Sequence, residues 1–152
     1  MKFKSLRDIF KFAVSKEESA VQFYQNLAMC VKNSQIIAVF VALAQREEGH
    51  VENLKLEMVK FGFRVEDDEQ DSESEGENEY FELDIQAQEM SSIDALRLGI
   101  QKERSAFRLY SELMVLADNG DARKVFFELA EEEMRHVLQL EREIEALSSS
   151  RE

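Results

Sequence analysis

The sequence predicts an all-α fold in which four long helices form two copies of one hairpin, joined by a long acidic linker. Three observations carry that reading. Charged residues make up 34% and hydrophobic residues 44%, with no proline and only 5 glycines, a balance that favours long helices over a turn-rich sheet fold. Apolar residues recur at three- and four-residue steps through four segments, the spacing of one helix face. Finally, residues 5–57 align without a gap onto residues 91–143, with about a third of the positions identical at a constant offset of 86 residues, so the chain reads as a duplication. Its 152 residues are the length of one domain, 1–152, long enough to bury a core without staples.

The first hairpin is expected over 5–62. Ser5 and Asp8 form an S-x-x-D start signal in which the serine caps the helix. Phe10, Ala13, Glu17, Ala20, Val21, Tyr24, Leu27, Ala28 and Val31 then fall on one face, with Glu17 inside the apolar stripe. Lys32-Asn33-Ser34 breaks the pattern. A second helix carries Ile37, Phe40, Leu43, Ala44, Glu47, His50, Val51, Leu54, Met58 and Phe61 inward, and the short loop makes the two antiparallel. Gly62 is a natural helix stop.

The linker is expected over 63–90, a stretch long enough to run the length of the bundle as a crossover. Within it, residues 66–79 are dominated by acidic side chains and hold no hydrophobe, so they add nothing to a core. That run reads either as a solvated linker extended by its own charge or as a surface site for cations or a docking partner. Tyr80, Phe81 and Leu83 give its far end an apolar handle. The second hairpin, 91–147, repeats the first. Ser91 and Asp94 restore the start signal, Leu96, Ile100, Glu103, Ala106, Phe107, Tyr110, Leu113, Met114 and Ala117 form the stripe, and Asn119-Gly120-Asp121 makes the turn. Val125, Phe126, Leu129, Ala130, Glu133, His136, Val137, Leu140, Ile144 and Leu147 line the last helix, before SSSRE frays.

The offset carries Glu17 onto Glu103, Tyr24 onto Tyr110, Glu47 onto Glu133 and His50 onto His136. Each sits where an ordinary helix has core hydrophobes. Packing the four stripes together drives four carboxylates and two imidazoles toward one interior point. Desolvating each carboxylate costs several kcal/mol, and their mutual repulsion adds to that, so they must be protonated or neutralised by cations. No Lys or Arg is expected on the inner stripes beside them. Two divalent metals balance four carboxylates, and oxygen-rich ligation with one imidazole per metal suits iron or manganese, with zinc a substitute in purified protein. A Glu from each of two helices with Glu-x-x-His from each of the other two is a known di-metal arrangement. Tyr24 and Tyr110 read either as core residues with satisfied hydroxyls or as donors to a ligand carboxylate or relays for electrons. Glu48, Glu131 and Glu132 are expected to face solvent, and Cys30 to be a small buried or loop-end residue.

The composition also excludes function classes. A net charge of -13 repels phosphate backbones and anionic membrane surfaces, so nucleic acid and membrane are poor partners and cations are good ones. A single cysteine allows neither an intrachain disulfide nor a four-thiolate metal site and fits a reducing cytoplasm. The N-terminal MKFKSLRDIFKFAVSKEE threads charges through its apolar residues, unlike a signal peptide, and no apolar run is long enough to span a bilayer.

At KEESAVQFYQNLA with LAQREEGH, and at KERSAFRLYSELM with LAEEEMRH, the chain resembles the rubrerythrin branch of the ferritin-like superfamily. The resemblance covers both hairpins, roughly 5–60 and 91–147. It implies a ferritin-like four-helix bundle with two iron ions bridged by Glu47 and Glu133, with Glu17 and Glu103 as terminal ligands and His50 and His136 each completing one metal's shell. It implies a non-haem di-iron oxidoreductase acting on peroxide or dioxygen, or a ferroxidase-like protein for iron storage or delivery. The rubredoxin domain of full-length rubrerythrins is not in this sequence, which implies an external electron donor such as a rubredoxin-like protein. Those proteins also carry a Glu three residues beyond the third-helix ligand. Here that position is Ala106, leaving a symmetric six-ligand set closer to that of bacterioferritin. A homodimer is expected, with hairpin exchange between chains as one route to it.

Overall fold

The computed structural model describes residues 2–65 and 88–150, which form four helices: α1 Leu6–Ala28, α2 Ser34–Lys60, α3 Ser92–Leu116 and α4 Gly120–Ser150. No strand occurs among the described residues. The acidic run 66–79 and the apolar handle of Tyr80, Phe81 and Leu83 lie outside the described residues.

Each helix starts where the duplicated caps place it. The Ser5 and Ser91 hydroxyls accept from the backbone N–H groups of Asp8 and Asp94 at 3.2 and 3.1 Å. Asn33 and Asn119 do the same for α2 and α4, accepting from Ile36 and Ala122 at 3.2 and 3.0 Å. A side-chain oxygen at this position satisfies an N–H that has no intrahelical partner. At the end of α2, Gly62 takes a positive φ of 82°, and the N–H groups of Gly62 and Phe63 bond to Val59 and Met58 carbonyls at 2.9 and 2.8 Å. This left-handed closure favours glycine. α4 runs through Ser148 and Ser149 to Ser150, so the terminus stays helical further than the serines suggest.

Two apolar clusters fix the topology. One joins the end of α1 and the start of α2 with the start of α3 and the end of α4, through Tyr24, Phe40, Leu96 and Leu140. The other joins the opposite ends, through Phe10, Leu54, Leu113 and Phe126. α1 therefore runs antiparallel to α2 and α3 and parallel to α4. The described ends of the crossover agree: Phe63 and Val65 pack on the second cluster, whereas the Met90 N–H bonds to the Cys30 carbonyl at 2.9 Å at the other end of the bundle. A four-helix bundle with one long crossover is the ferritin-like topology.

Burial departs from the expected stripes in a few places. Ile36 is sealed inside while Ile37 is only half-buried, because the stripe of α2 is set by Phe40 and Leu43 one turn on. Phe12 and Phe23 are also buried. Cys30 is buried at the loop end, its Sγ donating to the Asn26 carbonyl at 3.3 Å. Lys16 and Lys102 are buried as well, next in sequence to Glu17 and Glu103, where no cation was expected. Their ammonium groups lie over the rings of Phe12 and Phe23, at 5.5 and 5.9 Å, a favourable placement for a cation.

Candidate metal centre

Between the two apolar clusters lies a polar layer to which every helix contributes: Glu17 from α1, Glu47 and His50 from α2, Glu103 from α3, Glu133 and His136 from α4. The three-residue step from Glu to His keeps both on one helix face. All six expected ligands come together, and Glu47, Glu103 and Glu133 are completely buried.

They form two overlapping groups. Glu17, Glu47, His50 and Glu133 each offer an atom within 4.8 Å of the others, and so do Glu47, Glu103, Glu133 and His136. Glu47 and Glu133 belong to both. The two halves also match in detail: His50 Nδ1 lies 3.1 Å from Glu17 and His136 Nδ1 lies 2.6 Å from Glu103. The imidazoles face each other nearly parallel, 6.2 Å apart.

Electrostatics without metal shows the strain of this layer. Burial, then the charges of Glu17 and Glu103, push Glu47 well above the usual carboxylate range. Burial, then Glu103, Glu47 and Glu17, do the same to Glu133. Burial pulls His50 down, but its contacts with Glu17 and Glu47 more than reverse this and push it up to about 11, so in the metal-free chain it is a cation among acids. Even so, both oxygens of Glu47 and of Glu133, Oε2 of Glu103, and Nε2 of both histidines lack an aligned hydrogen-bond partner. Buried polar atoms without partners are costly, and clustered acceptors of this kind are what divalent cations satisfy. The donor set, oxygen-rich with one nitrogen per group, fits iron or manganese.

The tyrosines sit one layer away on either side and differ. The Tyr24 hydroxyl donates to the Gly99 carbonyl at 3.2 Å, and a Cβ at Gly99 would meet Leu140 at 3.2 Å and Tyr24 at 3.5 Å. A side chain there would press first on Leu140, with the Tyr24 ring left in ordinary contact. The Tyr110 hydroxyl, equally buried, has no aligned partner. Burial and the surrounding carboxylates hold both phenols well above their ordinary value.

Two openings flank the layer. On the α2 and α4 side, a pocket of about 520 Å³ is lined by His50, Asn53, Glu57, Glu128, Glu132 and Arg135, among others. On the α1 and α3 side, a cavity of about 20 Å³ is lined by Lys16, Glu17, Lys102, Ser105, Ala106 and Tyr110, among others, room for about one water.

Glu132 corrects the sequence reading. Glu48 and Glu131 are exposed as expected, but Glu132 turns inward until its carboxylate lies 2.9 Å from His50 Nε2 and 3.7 Å from His136 Nε2. Partial burial opposes its ionisation, and the close His50 charge, with those of His136 and Arg46, outweighs it and holds the carboxyl below its usual value. No spacing rule flags this residue, because His50 reaches it from another helix.

A family model described as Rubrerythrin matches residues 8–144. No curated protein sequence matches the chain. Among solved structures, a hypothetical protein from Pyrococcus furiosus is similar at a TM-score of 0.72 and 25% identity, over 96% of this chain and 92% of that one. The bacterioferritin-related protein of Bacteroides fragilis, described as a dodecameric thioferritin, is similar in fold at a TM-score of 0.75 and 19% identity, over 99% and 90% of the two chains.

Proposed function

The chain belongs to the rubrerythrin family, and from that premise we propose that it is a non-haem di-iron oxidoreductase that reduces peroxide or dioxygen. One observation supports this above the others: two four-residue ligand groups share Glu47 and Glu133 inside the core. In this reading Glu47 and Glu133, common to both groups, would be shared between the two metals, while Glu17 with His50 and Glu103 with His136 would each complete one position. When bound, a ferrous pair supplies Lewis acidity and the two electrons that, with two protons, convert peroxide to two waters.

The chain's own residues prepare that chemistry. The apolar clusters above and below keep bulk water out, which strengthens each carboxylate's hold on a cation. Tyr24 is anchored through Gly99, and the Tyr110 hydroxyl, on which Glu17 acts, would donate to that carboxylate once it is fixed as a ligand. The cavity of about 20 Å³ beside Ala106 lies against Glu17 and Tyr110, room for about one water-sized molecule. In this reading electrons come from a rubredoxin-like donor in a reducing, cytoplasmic setting.

Anaerobic protein titrated with ferrous iron should bind two ions per chain, oxidise on addition of peroxide, and turn over when a reductant is supplied. Binding of zinc alone, with no reoxidation of iron, would overturn the proposal. A second reading, ferroxidase action for iron storage or delivery, draws on the dodecameric description of the Bacteroides fragilis protein and on the acidic pocket at His50. It requires a shell holding many irons per chain. The first reading is compatible with a homodimer, for which hairpin exchange is not needed to assemble the ligands, since one chain supplies all six. Mass in solution and iron content separate the two.

A further inference from the structure

The duplication that sets the six ligands side by side breaks at the residue preceding each shared glutamate. Glu132 precedes Glu133, and its counterpart 86 residues earlier is Arg46. The two histidines turn Nδ1 toward the carboxylates of the polar layer, which leaves both Nε2 atoms facing the α2 and α4 side without aligned partners. A histidine that binds metal through one nitrogen carries its proton on the other, and that N–H needs an acceptor to fix the ring. Glu132 stands within reach of both, nearer to His50 at 2.9 Å than to His136 at 3.7 Å. Arg46, a donor, cannot serve His136 in return.

We propose that Glu132 is a positioning residue for both histidines, and that because Arg46 replaces its duplicate, the Glu17–His50 position holds metal more tightly than the Glu103–His136 position. This rests on the di-metal reading above. The surroundings fit the role. Glu132 has a side-chain exposure of 28%, so it is sheltered on most of its surface while still reaching the edge of the layer. The inequality between metal positions thus comes from outside the ligand set, which is identical in the two halves.

The probe is cobalt(II) alone, titrated into the full chain and followed by its visible absorption and by paramagnetic shifts of the two imidazoles. The native chain should fill in two resolved steps, the His50 position first. Glu132→Ala should weaken the first step about 10–100-fold and merge the two, and Glu132→Gln, which keeps an acceptor oxygen, should recover part of the loss. The exchanged variant, Arg46→Glu with Glu132→Arg, should fill the His136 position first. A Glu132→Ala chain that is fully helical and retains both native affinities would overturn the proposal, as would an exchanged variant that still fills His50 first. Failure of the native chain to bind cobalt would sink the di-metal reading instead. In that event solvent exchange of the His50 Nε2 proton in metal-free protein decides: faster by tenfold or more in Glu132→Ala supports the contact, and no change overturns it.

Discussion

Set side by side, the two hairpins are alike at the ligands and unlike around them. Glu17, Glu47 and His50 recur as Glu103, Glu133 and His136 with nearly the same contacts. One layer out, Gly99 stands where the first half has Ala13, and Tyr24 gains a carbonyl partner that Tyr110 lacks. On the α2 and α4 side, Glu132 stands where the first half has Arg46. On the di-metal reading, holding two like cations would constrain the atoms that touch them and leave the supporting residues free to differ. Each measurement below asks how far that division holds.

The largest effect should separate shared ligands from those belonging to one half. Glu47→Ala removes a residue common to both groups, so ferrous binding should fall from two ions per chain to none measurable at micromolar iron. His136→Ala removes a ligand of one group only and should leave the Glu17–His50 position occupied. Equal stoichiometry in the two variants, read by anaerobic titration and metal analysis, would show that the halves are not separable and that Glu47 is not a bridge.

This contrast also explains what could be read from the chain alone. The six side chains of the polar layer were legible because polar residues on an apolar stripe are anomalous, and because an 86-residue offset repeats the anomaly. Asn33 and Asn119 marked only a break and a turn, and their capping of α2 and α4 shows in the structure, whereas the helix starts at Ser5 and Ser91 were legible from local chemistry. Glu132 was not, since a residue next to an inward Glu is turned about 100° away on its own helix. Only the packing of α2 against α4 brings His50 over it. Lys16 and Lys102 escaped for a related reason: a lysine's stem can be buried while its charge settles on an aromatic face, and that face belongs to tertiary structure.

A smaller effect concerns the shared pair without metal. Glu47 and Glu133 are held above the usual carboxylate range, so the native state binds their protons more tightly than the unfolded chain does. Their contribution is present below about pH 4.5, the ordinary value, and is lost as pH rises through the raised native values. His50, pushed up to about 11, acts in the same direction: its contribution is present below about pH 6.5 and fades as pH approaches 11. Metal-free protein should therefore lose stability between pH 5 and pH 8, at about 1.4 kcal/mol per pH unit for each extra proton held. Metal-loaded protein, whose carboxylates are ionised, should show a flatter profile. Glu47→Gln and Glu133→Gln should each reduce the metal-free slope by a similar amount. Thermal unfolding across that pH range is the measurement, and unequal slopes would place the asymmetry inside the ligand layer itself.

The smallest effect tests the tyrosines, where the halves differ by one hydrogen bond. Tyr24→Phe deletes a buried hydroxyl that donates to the Gly99 carbonyl, and the loss should be about 0.5–1.5 kcal/mol. The carbonyl lies within α3, where a backbone N–H one turn on can also reach it, which argues for the lower end. Tyr110→Phe deletes a hydroxyl that is just as buried but has no aligned partner in the metal-free chain, so desolvation is relieved and no bond is lost. That variant should be neutral or slightly more stable in denaturant unfolding of metal-free protein. Loading the site should change the order if Tyr110 donates to Glu17 once that carboxylate is fixed as a ligand, and Tyr110→Phe would then cost stability only in the metal-bound form. If both variants lose the same stability without metal, the Gly99 and Ala13 difference has no energetic consequence, and the supporting layer is as symmetric as the ligands.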